Sequence, residues 1–394
     1  MRVISFNYRA LSVIFSSAEI GVVLNQAQSV SPPMNLHDLK SLNIPELVRS
    51  KWAIIAVCAV FVAGVALLPA WWYYVRPVSF PENVETLDVV VPAGAGVRTV
   101  AQIARTSGLG VSEDTMVAAM RLSGDGARIH AGRYRFPCGV TMADVVRKFS
   151  FGEVESFSFR IPDGMTIWQL RRAMESVPDI VMTTKGKTDE ELRQQLGIAE
   201  KHLEGLFAPE TYKFKSGVTD VVVFRTAYQR QKDVLDKLWA SRDLQAISTK
   251  IKTPYDALIL ASIVEKETSH PEDRLLVSSV FHNRLRVWMP LQTDPAVIYG
   301  LGEEFDGNLR RKNLTEKGPY NTYVNYGLPP SPIAMPSEAS IYAALHPAKT
   351  KYLYFVARGD GTTHFSRALS QHNHAVNRYQ RAPKRRVQNE QPTQ

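Results

Sequence analysis

The residues best placed for chemistry close an apolar run, Ala257-Leu258-Ile259-Leu260-Ala261-Ser262-Ile263-Val264-Glu265-Lys266-Glu267-Thr268. At 100° per residue, positions 257–261, 263 and 264 cover every side of a helix, and a helix apolar all round is buried. Asp256 just ahead is a suitable first-turn acid. Glu265 projects between Leu258 and Ala261, and Glu267 between Leu260 and Ile263. Both carboxyls therefore leave the end of a buried helix. Apolar surroundings raise a carboxyl's pKa, which suits a general acid. The competing reading is that these glutamates open the solvated end of a core helix and pair with Arg274 or Lys266. Periodicity does not choose between Glu265 and Glu267.

Downstream, Leu291-Gln292-Thr293-Asp294-Pro295 is polar and turn-like before the apolar run 296–300, and Pro319-Tyr320-Asn321-Thr322-Tyr323 and Tyr326-Gly327-Leu328-Pro329-Pro330 follow. Amides, hydroxyls and aromatic faces at this density suit sugar recognition. Amides bond hydroxyl and acetamido groups, and rings stack on pyranose faces. A Pro-rich loop packing its tyrosines on the body fits the same residues equally well. His364, His372 and His374 lie close together, but no HExxH or Cys-rich partner accompanies them, so no metal is expected. GxSxG, P-loop and GxGxxG fingerprints are absent.

The elements that must carry these residues fall into recurring units. Val89-Val90-Val91-Pro92-Ala93-Gly94, Tyr134-Arg135-Phe136-Pro137-Cys138-Gly139 and Phe157-Ser158-Phe159-Arg160-Ile161-Pro162-Asp163-Gly164 each read as a strand and a turn leading into an amphipathic helix. Thr141 and Thr166 are expected N-caps, with Gln169 completing a capping box on Thr166. The spacings differ, which excludes a solenoid. Residues 76–85 read as a short extended stalk, a break is expected after Met182, and the basic tail after Tyr379 reads as disordered and solvated.

With 45% hydrophobic and 22% charged residues in 394, the chain is of ordinary globular composition. Two cysteines exclude a disulfide scaffold. Lys and Arg exceed Asp and Glu by nine (47 against 38), which favours anionic partners without choosing among them. Between Lys51 and Arg76 no residue is charged, and about 20 apolar residues cross a bilayer core. Trp52 stands at one end and Trp71, Trp72, Tyr73 and Tyr74 at the other, as in an interfacial aromatic belt. A buried core helix and a cleaved signal peptide are the alternatives; the run is long and lies far in for a signal peptide. Arg49 and Lys51 precede the span, while Glu82, Glu85 and Asp88 follow it. Positive-inside then places the N-terminus in the cytosol and residues 77–394 outside, in the bacterial periplasm or at the outer face of the cytoplasmic membrane. Met34 is a possible true start. Cys58 lies within the span and Cys138 outside it, so they do not pair; Cys138 is expected to be a small buried residue. Export also argues against a nucleic-acid partner.

The blocks Glu204-Gly205-Leu206-Phe207-Ala208-Pro209-Glu210-Thr211-Tyr212, Val264-Glu265-Lys266-Glu267-Thr268 and Phe281-His282-Asn283-Arg284-Leu285 are distinctive. So are Leu291-Gln292-Thr293-Asp294-Pro295, Tyr320-Asn321-Thr322-Tyr323, Gly327-Leu328-Pro329-Pro330 and His346-Pro347-Ala348. In this order they resemble the bacterial YceG-like (MltG) endolytic murein transglycosylases, over residues 88–380 plus the single span. Glu210 departs from the family's usual Asp, and residues 1–48 form a long leader. The resemblance implies an α+β chain divided into a cytoplasmic leader (1–50), a transmembrane helix (51–76), a stalk with a small LysM-like module (77–152), a larger catalytic domain (153–380) and a basic tail (381–394). It implies cleavage between N-acetylmuramic acid and N-acetylglucosamine in nascent peptidoglycan strands, leaving 1,6-anhydro ends, at the inner membrane. A link to peptidoglycan synthases is implied as well. It places catalysis on Glu265, with Glu267 and Glu210 supporting. Gln292, Thr293, Asp294, Asn321, Tyr323 and Tyr326 are the expected substrate-orienting residues. No cofactor is implied. A hydrolytic muramidase and a non-catalytic wall anchor are the remaining alternatives.

Overall fold

A computed structural model describes residues 51–122, 129–302 and 305–381. The expected leader, Met34 and nearly all of the basic tail lie outside these residues. The chain divides into two units at Arg76. In the first, helix α1 (Lys51–Val75) is long and apolar enough to cross a membrane, and its large apolar side chains, Ile54, Phe61 and Leu67 among them, are exposed. At its end the Arg76 guanidinium lies 4.3 Å from the Tyr73 ring centroid.

The second unit is α+β. It opens with β1 (Thr86–Val91), α2 (Val97–Thr106), α3 (Glu113–Leu122), β2 (Gly132–Pro137) and α4 (Met142–Phe151). β1 and β2 pair antiparallel, Val89 opposite Tyr134. A two-stranded ribbon is marginal alone; here Tyr134 and Phe136 pack on Phe149 of α4, with ring centroids 4.6 and 5.3 Å apart. Thr141 caps α4 in a reciprocal box with Asp144.

The larger part follows: β3 (Ser156–Arg160), α5 (Ile167–Glu175), β4 (Ile180–Val181), α6 (Asp189–Leu196), β5 (Thr211–Lys215), β6 (Val218–Thr219) and α7 (Asp220–Ala240). Then come α8 (Pro254–Glu267), α9 (Arg274–Arg286), α10 (Asp294–Leu301), α11 (Arg311–Thr315), α12 (Glu338–Leu345), the hairpin β7 (Tyr354–Ala357) and β8 (Thr363–Ser366), and α13 (Leu369–Val376). β3 pairs antiparallel with β5, and β4 parallel with β6. α8 is the central helix: every residue from Ala257 to Val264 is buried, against α7, α9, α10 and α12. Its start is set by Pro254 and a Thr253–Asp256 capping box.

The three strand-turn-helix units are present as expected (β1–α2, β2–α4, β3–α5). On α5 only half of the expected box forms. The Thr166 N–H donates to Gln169 Oε1 at 3.0 Å, while the buried Thr166 hydroxyl has no hydrogen-bond partner among the described residues.

Three expectations need correction. Residues 77–85 are not a free stalk: Val78 N–H donates to Val140 O, Gly110 N–H to Ser79 O and Cys138 N–H to Glu85 O, so the segment is laced onto the module. The polar stretch after Met182 is not a loose break, because Thr183 and Thr184 give all their N–H and O–H groups to the buried Asp220 carboxylate, at 2.5–3.0 Å. Burial works against that charge, but these donors outweigh it and hold the Asp220 pKa below the usual range. Cys138 is exposed, because it sits at the tip of the turn after β2 beside Gly139, which has φ +87°. The module is also fastened to the larger part. Arg133 forks onto Asp179, and the Ser216 hydroxyl accepts from Arg133 N–H at 2.7 Å and donates to Asp179 at 2.6 Å.

Candidate active site

The C-terminal end of α8 delivers two carboxyls to two different neighbourhoods. Glu265 keeps only 6% of its side-chain surface exposed. Its Oε2 accepts from Ser337 N–H at 2.9 Å and from the Ser337 hydroxyl at 2.5 Å. Ser337 is the N-cap of α12, so one side chain both starts that helix and fixes Glu265. Oε1 lies 3.8 Å from Arg274 Nη2. The apolar isolation expected of Glu265 is therefore replaced by a polar frame, and the Arg274 pairing is present. Among the described residues Arg274 Nε is buried without a hydrogen-bond partner, which leaves a donor beside Glu265 for a bound group.

Across from Glu265 stands the turn between β3 and α5, which sequence reasoning read only as a turn. Gly164 has φ +71°, and a Cβ there would lie 3.8 Å from Glu265 Cγ and 3.4 Å from Lys266 Cδ. The turn is held from three sides. Gly164 N–H donates to Met335 O, Met335 N–H donates to Met165 O, and Lys266 Nζ donates to Gly164 O at 3.3 Å. It presents an exposed Asp163. Partial burial and the nearby Glu265 charge push the Asp163 pKa up, against Arg274 and Arg160. A second carboxylate thus faces Glu265 from about a hundred residues away in the chain. Only tertiary structure reveals it.

Glu267 points elsewhere. Burial pushes its carboxyl up to about 7; Asp294 adds to this, while the Thr293 hydroxyl and Arg284 oppose it. Arg284 is itself buried, donating from Nη1 to Leu291 O and from Nε to Leu353 O, both at 2.7 Å. These bonds shape the loop entering α10. In that loop Gln292 is exposed with φ +50°, a left-handed conformation costly for a non-glycine residue. Its N–H donates to Thr322 O. Thr293 is fully buried, and its N–H donates to the Thr322 hydroxyl at 3.0 Å. Asp294 is exposed and accepts from the Tyr323 hydroxyl at 2.6 Å.

The structure thus brings Gln292, Thr293, Asp294 and Tyr323 together beside Glu267. Asn321 belongs to the same loop pair, but its amide is spent inside the protein: Nδ2 donates to Asn313 O and Glu316 O, and Oδ1 accepts from Tyr323 N–H. It builds the loop that carries Tyr323. Tyr326 is exposed and stacks on Trp288. Glu210 is half exposed and pairs with Arg230 at 2.9 Å; only its backbone reaches toward the site, accepting from Ile161 N–H.

One further carboxyl lay inside a quoted block and was missed as a site element. Glu204 is buried, accepts from Ile167 N–H at 3.1 Å at the start of α5, and lies near Tyr299. Burial pushes it up to about 8. A cavity of about 460 Å³ opens nearby, lined by Val297, Tyr320, Asn321, Arg310, Lys312 and Lys317 among others. Glu265, Glu267 and Asp163 do not line it.

A family model described as the YceG-like family matches residues 89–378. A Bacillus subtilis (strain 168) protein named endolytic murein transglycosylase is 31% identical over 314 residues, which span 75% of this chain and 85% of that one. A protein of the same name from Streptococcus pneumoniae serotype 2 is 31% identical over 189 residues, 45% of this chain and 32% of its own length. A crystal structure of a putative yceG-like protein from Listeria monocytogenes is 27% identical and covers 74% of this chain and 99% of its own, with a TM-score of 0.45.

Proposed function

Because the chain belongs to the YceG-like family, we propose that it is a membrane-anchored endolytic murein transglycosylase with Glu265 as its catalytic acid and base. The observation that carries this reading is the enclosed Glu265 carboxyl, bonded twice by Ser337 and faced by the Asp163 turn. Glu265 protonates the oxygen leaving the anomeric carbon of N-acetylmuramic acid. An oxocarbenium-like state develops, which the Asp163 carboxylate stabilises. The 6-hydroxyl of the same sugar then attacks the anomeric carbon and gives its proton to Glu265. The product end is 1,6-anhydro-muramic acid. Ordinary glycosidases use a second carboxyl to activate water or form a covalent bond. Here an intramolecular hydroxyl takes that part, with the high effective molarity of a tethered group.

Ser337 positions Glu265, and the Arg274 Nε donor receives a substrate oxygen. Gln292, Asp294 and Tyr323 orient the strand, on a loop that Glu267, Thr293 and Asn321 hold in place. Helix α1 anchors the enzyme in the cytoplasmic membrane with residues 77–394 outside, which concentrates it near emerging strands without added contacts. Residues 77–152 act as a LysM-like wall-binding module, and peptidoglycan synthases are the expected neighbours.

The test is the product. Uncross-linked strands digested with the full chain in detergent and read by mass spectrometry should show internal cuts ending in anhydro-muramic acid. Reducing ends would make the enzyme a hydrolase, and binding without cleavage would make it an anchor.

A further inference from the structure

Trp288, just past α9, and Tyr326, in the loop after α11 and expected from the sequence to orient substrate, are exposed rings without a part in the chemistry above. Trp288 and Tyr326 keep 55% and 54% of their surface open to solvent. Their rings lie 5.9 Å apart between centroids and within 14° of parallel. Val287 and Val324 beside them are also exposed. A folded chain ordinarily turns such rings inward or scatters them singly; a contiguous exposed apolar patch marks a contact surface.

The backbone adds an independent observation. Trp288 has φ +55°, a left-handed conformation that is an outlier for a bulky residue. Gln292, four residues on, has φ +50°. Strain of this kind persists where surrounding structure enforces it, and it gathers at ligand clamps. Met289 N–H donating to Arg284 O and the Arg284 bonds to Pro290 and Leu291 carbonyls enforce it here. The strained segment holds an indole in solvent and ends at Thr293, whose side chain lies near Glu267. Thr293 lies five positions on from Trp288, at most about 18 Å of extended chain. Lys250 Nζ stands over the Trp288 ring, 4.4 Å from its centroid, and adds a cation on one face of the indole.

We propose that Trp288 and Tyr326 form a remote saccharide subsite, stacking on a pyranose of the glycan strand several positions from the cut, with Lys250 pairing a carboxylate of the attached stem peptide. The ring surface left open beside Lys250 matches the apolar face of a pyranose, and the ammonium over the indole matches the anionic substituent. This rests on the strand-cleaving reading above and specifies where that strand is gripped. Such a subsite makes affinity depend on strand length.

The test uses the full chain in detergent and uncross-linked glycan strands of defined length. Binding is measured on the Glu265→Gln background, with wild-type cleavage run in parallel. Trp288→Gly should weaken binding of long strands on the order of tenfold and leave binding of a two-disaccharide fragment unchanged. Trp288→Phe should recover most of the loss. In cleavage the same change should raise KM for long strands with kcat nearly unchanged. The melting temperature of Trp288→Gly should not fall, since glycine relieves the left-handed strain. Tyr326→Ala serves as the second variant and should weaken long-strand binding in the same direction. Equal long-strand affinity in the wild-type and both ring-deleted backgrounds, alongside normal wild-type cleavage, overturns the subsite alone. A wild type that does not cleave strands, together with a Glu265→Gln variant that does not bind them, would overturn the strand-cleaving reading and the subsite with it.

Discussion

Ser337→Ala tests how much of the catalysis depends on holding Glu265 still. The change removes the 2.5 Å hydroxyl bond to Glu265 Oε2 and leaves the 2.9 Å N–H bond. A hydrogen bond to a charged group contributes about 1.5–3 kcal/mol. If that falls on the barrier, the rate drops about 10- to 150-fold; with the N–H bond intact, the lower end applies, about 10- to 30-fold. The same hydroxyl also caps α12, accepting from Ser340 N–H at a long 3.3 Å. Loss of a cap costs roughly 0.5–2 kcal/mol, here the low end, or about 1–3 °C in melting temperature for a domain of this size. Initial rates on uncross-linked strands, with KM and kcat separated, would be read beside thermal unfolding. The expected outcome is a kcat loss far larger than the stability loss explains, KM little changed, and recovery by Ser337→Thr. A kcat within about twofold of wild type, on that same scale of bond energies, would refute the positioning argument.

Other perturbations follow from the same geometry. Asp163→Asn should lower kcat on the order of tenfold to a hundredfold, as expected for one electrostatic group facing the reacting centre, with the melting temperature unchanged; unaltered turnover would remove Asp163 from the mechanism. Glu204 is raised to about 8 by burial, so between its unfolded value near 4.5 and about 8 the folded state holds a proton that the unfolded state has lost. Stability should then fall as pH rises through that window, and Glu204→Gln should flatten the slope of melting temperature against pH; an unchanged slope would contradict it. Arg133→Ala strips the charge partner from the nearly buried Asp179 and should cost about 1–3 kcal/mol, read as a lower unfolding midpoint. A fully retained midpoint would show that the joint between module and larger part is not stabilising.

The parts legible in the sequence were those set by local pattern. The all-round apolar run 257–264 is buried as α8, and the three strand-turn-helix units stand where Pro and Gly punctuate them. The grouping of residues 292–294 with 321–323 was readable from the density of amides and hydroxyls, though not how they divide the work. Asn321 was expected to meet a sugar, yet its amide is saturated by Asn313, Glu316 and Tyr323, a matter of coordinates alone. Asp163 and Ser337 carried no local signal, because their meeting with Glu265 depends on how β3, α8 and α12 pack. The segment 77–85 looked like a stalk because extended residues declare no partners, and its backbone bonds to residues 110, 138 and 140 decide otherwise. Cys138 misled through residue type: cysteine favours burial on average, but the turn geometry overrides that preference.

The two glutamates at the end of α8 differ in what surrounds them. Glu267 has the carboxyl whose burial brings it to about 7, while Glu265 has the Ser337 and Asp163 frame. Turnover of Glu265→Gln and Glu267→Gln on uncross-linked strands, at one pH and with folding confirmed for both, compares them directly. Glu265→Gln is expected to abolish cleavage, and Glu267→Gln to keep measurable activity with the same anhydro product. Substantial cleavage by Glu265→Gln, with Glu267→Gln inert and folded, would contradict the account and move the catalytic proton to Glu267.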